Sequence, residues 1–224
     1  ATTAAIQASA GALRGVSRER IGQELRLMLA HPRRVRAASL VESLGLDASV
    51  FDEPHQAVDH PSLEAVDATS PFVPALAAWL VDRHGPGPEW QEVVRRWTRS
   101  LVLSNAERRE MQSILSTRDD LRTWAGARLA RRKRIAARES FGPALRLIAV
   151  ETPSAAAVIG EDVRELAETG LAPPPFVDGD VLIETLRLAP GPRFKELLEA
   201  VYDAQLEGEV RSVEEAVEWV RRRV

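Results

Sequence analysis

The chain has 224 residues, of which 45% are hydrophobic and 28% charged, and its formal net charge is −3 at pH 7. These values are ordinary for a globular protein and exclude a globally basic nucleic-acid binder, although they leave room for a local basic patch. The absence of cysteine excludes disulfides and thiol chemistry, and no apolar run approaches the roughly 18 residues that a membrane span needs.

The composition also bears on fold class and compartment. Ala, Leu, Arg and Glu dominate, and aromatic residues make up only 5%, which predicts an all-α fold. The first residues lack the basic region and apolar core of a signal peptide, so we expect a cytoplasmic protein that does not enter a membrane.

The first two segments have helical character. Ala1 to Leu13 is rich in alanine, and because nothing caps its start we expect the native chain to continue upstream. In the next segment, residues 16–29, Ser17 is a good N-cap and Glu19 lies in the first turn, where the helix dipole favours an acid. Its apolar stripe consists of Ile21, Leu25, Met28 and Leu29.

The middle of the chain predicts a helical body interrupted by a loop at residues 52–62, which contain two prolines and two histidines. The expected helices span residues 32–45, 71–83, 89–103, 140–150 and 154–170. Ser104 and Glu107 have the spacing of a capping box for a further helix. Four tryptophans are expected to fill the core rather than to stack on a ligand, namely Trp79, Trp90, Trp97 and Trp124.

The densest positive charge lies at residues 118–138, which the pattern predicts as one basic helix. Its cations are Arg118, Arg122, Arg128, Arg131, Arg132, Lys133, Arg134 and Arg138. The arginines at positions 128, 131, 134 and 138 follow 3-3-4 spacing, so they would form an exposed stripe able to contact successive phosphates. The inward face would include Leu121, Ala125, Leu129 and Ala136. The alternative is a solvated helix whose arginines form salt bridges with the acidic stretch at residues 151–184.

Residues 173–224 begin with a stiff proline-rich linker and predict three helices. Asp178 suits the N-cap of a helix over residues 179–188, and Gly191 and Pro192 suit the N-cap and N1 positions of the next. Further signals are Gly208 at a C′ position and Ser212 with Glu215 in capping-box spacing.

Four segments in this order resemble the bacterial tRNA nucleotidyltransferases, the family of CCA-adding enzymes and poly(A) polymerases. They are V-S-x-E-R-I-x-x-E-L at 16–25, LVESLGLDASVFDE at 40–53, L-x-L-S-N-A-E at 101–107, and G-D-x-L-I followed by P-G-P-x-F at 179–194. The resemblance covers only the family's non-catalytic part. It implies an elongated multi-helix array with neck helices at 1–50, a helical body at 51–172 and a tail domain at 173–224.

The family's catalytic head is absent from this sequence. There is no G-S or G-G turn followed by an R-x-D-x-D strand, and no E-D-x-x-R element. The resemblance therefore implies no catalytic residue here and no activity of the chain alone. Mg²⁺ and CTP or ATP are expected only with the head.

The implied function is to hold tRNA or another RNA by its backbone and shape. The expected RNA contacts are Arg128, Arg131, Arg132, Lys133, Arg134, Arg138, Arg187, Arg193 and Lys195, the last three near the helix N-terminus after Pro192, where a phosphate can bind. Ser17, Glu19, Arg20 and Glu24 of the neck motif would be structural supports. The residues that distinguish CCA addition from poly(A) addition would lie in the head.

Two alternatives remain open at this point. One is a helical protein-interaction module with no role in RNA binding. The other is a degenerate HD-type metal phosphohydrolase, because some family members carry L-A-A-L-L-H-D where this chain has LAAWLVD at 76–82. Val81 replaces the metal-binding histidine, and an isopropyl group is no ligand, so His60 and Asp82 would be relics, with His84 close by, and no metal is expected.

Overall fold

The computed structural model describes residues 2–85, 87, 89–186 and 191–224. Helix is the only regular secondary structure in these residues, which confirms the all-α prediction. The α-helices are α1 (Thr2–Ser9), α2 (Arg18–Ala30), α3 (Arg34–Ser43), α4 (Asp47–Phe51), α5 (Pro61–Glu64), α6 (Phe72–His84), α7 (Trp90–Ser100), α8 (Asn105–Arg122), α9 (Leu129–Ala136), α10 (Phe141–Glu151), α11 (Pro153–Glu168), α12 (Gly179–Leu186), α13 (Pro192–Leu206) and α14 (Val213–Arg221). Two 3-10 helices span Ala10–Gly15 and Trp124–Gly126. None of the described helices has both the length and the apolar character that a bilayer crossing requires.

The predicted helix starts follow the capping residues. Ser17 caps α2, and its hydroxyl accepts from the Arg20 backbone N–H at 3.4 Å. Before α8, Ser104 and Glu107 form the reciprocal capping box, with bonds of 3.2 Å and 2.7 Å. Gly191 and Pro192 open α13 as predicted, and Gly208 follows its C-cap with a φ of 78°. The end of the helix expected over 179–188 lies partly outside the described residues.

The prediction of one basic helix over residues 118–138 is wrong. Helix α8 ends at Arg122, a 3-10 turn follows, and α9 begins only at Leu129. Ala127 is extended, with a ψ of 141°, and Gly126 before it has little helix propensity. Trp124 is buried in this turn whereas Ala125, expected to face inward, is exposed. The four arginines therefore do not form one stripe on one helix.

The chain divides into two compact units. The first comprises Ala1–Leu121 and Ser140–Ala156, and the second comprises Arg122–Glu139 and Ala157–Val224. These limits differ from the three regions that the family resemblance implies, because α9 belongs to the same unit as α13 and α14.

The core of the first unit surrounds α6, in which nearly every residue is buried. Trp79, Trp90 and Trp97 lie in this core, as predicted. Phe51 stacks on Trp97 with ring centroids 4.1 Å apart and meets the Trp79 ring edge-on at 4.9 Å. The loop expected at residues 52–62 has no helix over residues 52–60, but α5 begins within its expected bounds, at Pro61, because proline suits the first helical position.

A charged network is also buried in the first unit. Arg83, at the end of α6, lies between Glu42 of α3, Asp47 of α4 and Glu53, with nitrogen–oxygen distances of 2.8, 3.1 and 3.7 Å. Each carboxylate also faces a histidine, namely His60, His55 and His84, respectively. Because all three carboxylates are buried, the network joins the helices through charge as well as apolar packing.

The second unit has its own apolar core, made by α12, α13, α14 and the segment before them. Its buried residues are Val177, Leu182, Leu197, Val201, Ala204, Val210, Ala216 and Val220. Trp124 lies buried in the same unit and donates its indole N–H to Oδ2 of Asp162 at 2.8 Å. It is a core residue, as predicted, with a specific polar partner.

Candidate nucleic-acid interface

Arg128 is a largely exposed arginine at the start of α9. It lies at the N-cap of the helix, and its side chain is 81% exposed. Its Nε lies 3.6 Å from Oε1 of Glu207, the C-cap residue of α13, and the same oxygen accepts a bond of 3.1 Å from the Ala130 backbone N–H. The N-terminus of α9 is thus held by a carboxylate from within the unit. Arg131 and Arg138 are also exposed.

Arg134 is held against α13. Its Nε donates to Oδ1 of Asp203 at 2.7 Å, and its guanidinium lies 4.9 Å from the centre of the Tyr202 ring. A second nitrogen donates to the Glu199 carbonyl at 3.3 Å. The side chain is 39% exposed, so it is oriented by α13 yet accessible to solvent.

Arg132 and Lys133 have a more structural setting. Arg132 donates to the carbonyls of Trp124 and Ala125 and, at 3.2 Å, to Asp162, so it closes the turn that separates α8 from α9. Lys133 is buried. Of the predicted contacts on this segment, these two are poorly placed for RNA. The Arg132–Asp162 pair is a salt bridge of the kind that the alternative interpretation expected.

Part of the basic segment opens onto a cleft of about 390 Å³ that we call the arginine cleft. Its cationic and aromatic lining consists of Arg128, Arg131, Arg223 and Trp219. Asp203, Glu207 and Glu209 also line it, so its charge is mixed. Arg223 stacks over the Trp219 ring at 3.5 Å. Arg223 and Trp219 are not among the contacts predicted from the sequence, although the run of three arginines at 221–223 was a visible signal.

The remaining predicted tail contacts are less concentrated. Arg193 is exposed and donates to the carbonyls of Arg223 and Val224, at 3.1 and 3.2 Å, near the end of α14. Lys195 is exposed and pairs with Glu199, one turn along α13. Arg187 lies outside the described residues.

The neck-motif residues lie on and before α2. Ser17 is its N-cap, and Glu19 lies exposed in the first turn. Arg20 and Glu24 border an apolar cleft of about 400 Å³. The cleft is otherwise lined by Leu13, Val16, Ile21, Leu25, Met28, Val41, Leu46 and Val50.

The residues expected as relics of a metal site do not fit a metal. Both carboxylate oxygens of Asp82 accept backbone N–H groups, from Ser62 and Leu63 at 2.9 Å, so Asp82 holds the start of α5. Burial raises the pKa of Asp82 despite these bonds. His60 faces Glu42, and His84 faces Glu53. Among the residues that the structure describes, no three His, Asp or Glu side chains are grouped to hold a metal ion.

A scan against protein-family models gives no match, and a search of curated proteins gives no significant match. The resemblance to tRNA nucleotidyltransferases therefore rests on the quoted motifs and their order.

Proposed function

We propose that this chain is the RNA-holding C-terminal region of a tRNA nucleotidyltransferase, either a CCA-adding enzyme or a related poly(A) polymerase. The motifs at 16–25, 40–53, 101–107 and 179–194 support this assignment, because they occur in the family's order along one chain. The all-helical fold agrees with the neck, body and tail of that family.

The observation that carries the proposal is the arginine cleft. Arg128 and Arg131 lie at the start of α9, and Arg223 lies just after α14, far away in the sequence. These three arginines line one surface beside Trp219. Guanidinium groups bind phosphate oxygens bidentately, and an aromatic ring can stack on an unpaired base. The described residues offer this combination without any strand or loop motif for reading bases. Recognition would thus depend on the RNA backbone and shape.

In this proposal the chain supplies binding energy rather than chemistry. A catalytic head would hold Mg²⁺ and the nucleoside triphosphate, and the helical region would fix the 3′ end of the RNA against it. The protein is a cytoplasmic one under this proposal, and its partner is tRNA or a similarly folded RNA.

The proposal is tested by fluorescence anisotropy of labelled tRNA with the purified 224-residue protein at several salt concentrations. We expect salt-dependent binding that weakens when Arg128 and Arg131 are both changed to Glu. Loss of two phosphate contacts should reduce the slope of the logarithm of the association constant against the logarithm of the salt concentration by about 1.5 in magnitude.

The matched control is the double variant Arg95→Glu and Arg99→Glu. Both residues are exposed on α7 in the first unit, and the change in net charge is the same. Equal weakening by both variants would mean that only net charge matters. Absence of tRNA binding at the lowest salt would favour the alternative of a protein-interaction module.

A further inference from the structure

Two carboxylates, Asp203 in the last turn of α13 and Glu207 at its C-cap, face α9. Asp203 accepts the Nε–H of Arg134 at 2.7 Å. Glu207 accepts the Ala130 N–H at 3.1 Å and lies 3.6 Å from the Nε of Arg128. These donors, two guanidinium groups and an amide at a helix N-terminus, are those that a phosphate oxygen would bind.

Both carboxylates remain within reach of solvent. The side chain of Asp203 is 50% exposed and that of Glu207 is 19% exposed, and both residues line the arginine cleft. Both partners of the Arg134–Asp203 pair are more than a third exposed, and Arg128 is largely exposed in its pair with Glu207. Solvent-exposed ion pairs contribute little to stability, so a polyanion can replace the carboxylates on these two arginines. The carboxylates orient the arginines, and they also neutralise part of their charge.

We propose that Asp203 and Glu207 are internal counter-anions that RNA phosphates displace from α9, and that they limit the affinity of the arginine cleft. The inference rests on the proposed RNA-binding function and concerns the same surface. Each phosphate takes the place of a carboxylate on the same donors. The carboxylates therefore disfavour weak or single anions, and only a chain of phosphates presented together displaces both.

The consequence is a measurable gain when the carboxylates are removed. In the double variant Asp203→Asn and Glu207→Gln, Arg128 and Arg134 lose their anionic partners and become more available to RNA, although Arg134 keeps its contact with the Glu199 carbonyl. We expect tRNA to bind about tenfold more tightly at low salt, with a steeper salt dependence, because more counterions are released on binding. The side-chain amide oxygen that Glu207→Gln introduces can still accept the Ala130 N–H, so α9 should keep its start.

The matched control is the double variant Glu161→Gln and Glu165→Gln. Both residues are exposed on α11 in the second unit, and the change in net charge is identical. We expect its tRNA affinity to change by less than about threefold. Circular dichroism would verify that both double variants keep the wild-type helix content.

The outcomes separate this inference from the proposed function. Wild-type binding together with unchanged or weaker binding by Asp203→Asn with Glu207→Gln would overturn the inference and leave the function standing. An equal gain in the control would also overturn it. If neither the wild type nor the variant binds tRNA, the proposed function fails and the inference with it. Should the double variant lose helix content, Asp203→Asn alone keeps the Glu207 cap and must still raise the affinity.

Discussion

The guanidinium of Arg83 donates a hydrogen bond of 2.8 Å to Oε1 of Glu42 in the interior of the first unit. Glu42 uses the same oxygen to accept the indole N–H of Trp79, also at 2.8 Å, and its other oxygen accepts the Val58 N–H at 3.0 Å. One carboxylate therefore joins α3, α6 and the loop after α4. Because both of its oxygens accept hydrogen bonds, the buried charge is tolerable, but removal of a single partner should be costly.

Replacement of Arg83 by Met should destabilise the first unit by about 3–5 kcal/mol, because Glu42 and Asp47 would be left buried without their cation. The measurement is urea unfolding followed by circular dichroism. The control is Arg95→Met, since Arg95 is exposed and pairs with Glu92 on the surface of α7. That change should stay within about 0.5 kcal/mol. Equal stability of the two variants would show that the Arg83 network contributes nothing beyond its volume.

Much of the helical framework could be predicted from local sequence signals. Ser17, the Ser104–Glu107 box and the Gly191–Pro192 start act within one turn of the chain, so their spacing is sufficient evidence. Burial of the tryptophans also followed from the helical period, because large apolar rings on an amphipathic helix lie on the face that packs against the core.

The charged contacts could not be predicted in this way. Arg83 looks like the polar end of an apolar helix, yet it binds carboxylates 36 and 41 residues away. The break in the basic segment contains Trp124, whose indole N–H donates to Asp162, 38 residues away. Gly126 has low helix propensity, but one glycine does not by itself end a helix, so the alanine and arginine residues on either side conceal the turn.

Helix α2 approaches the backbone at the end of α7 through Gly22, and substitution there should be severe. A Cβ on Gly22 would lie 2.2 Å from the Leu101 carbonyl oxygen. Gly22→Ala should therefore destabilise the protein by about 3 kcal/mol, because the backbone of α2 or of Leu101 would have to move to make room for the new methyl group. Thermal unfolding would measure this. Gly142→Ala is the control, since nothing lies within 4 Å of its Cβ, and it should be neutral or stabilise α10 by up to about 1 kcal/mol. Similar effects of the two changes would refute the close approach.

Glu107 should make the free energy of unfolding depend on pH in the acidic range. Its carboxylate receives two hydrogen bonds from Arg26, at 2.7 and 2.8 Å, and these, with the hydrogen bond from the Ser104 N–H, lower the pKa of Glu107 from 4.5 to about 2. Because the folded pKa is the lower one, the contribution to stability is complete above pH 4.5 and is lost as the pH falls towards 2. Allowing for solvent screening, we expect about 1 kcal/mol.

The variant Glu107→Gln isolates this effect. At pH 5 it should be less stable than the wild type by about 1 kcal/mol, and the difference should shrink as the pH approaches 2. Urea unfolding at a series of pH values gives both curves. A difference that stays constant over this range would show that the Arg26–Glu107 contact acts through packing rather than charge.

Asp162 should control the turn that separates α8 from α9. It accepts from the buried indole N–H of Trp124 and from Arg132, at 2.8 and 3.2 Å. In Asp162→Ala both donors lose this acceptor, so we expect a loss of about 2 kcal/mol in the second unit and faster amide hydrogen exchange over residues 124–136. Glu161→Ala, an exposed neighbour on α11, is the control and should change neither quantity. Unchanged exchange in Asp162→Ala would mean that the turn is set by the backbone at Gly126 alone, since the side-chain bond would then be dispensable.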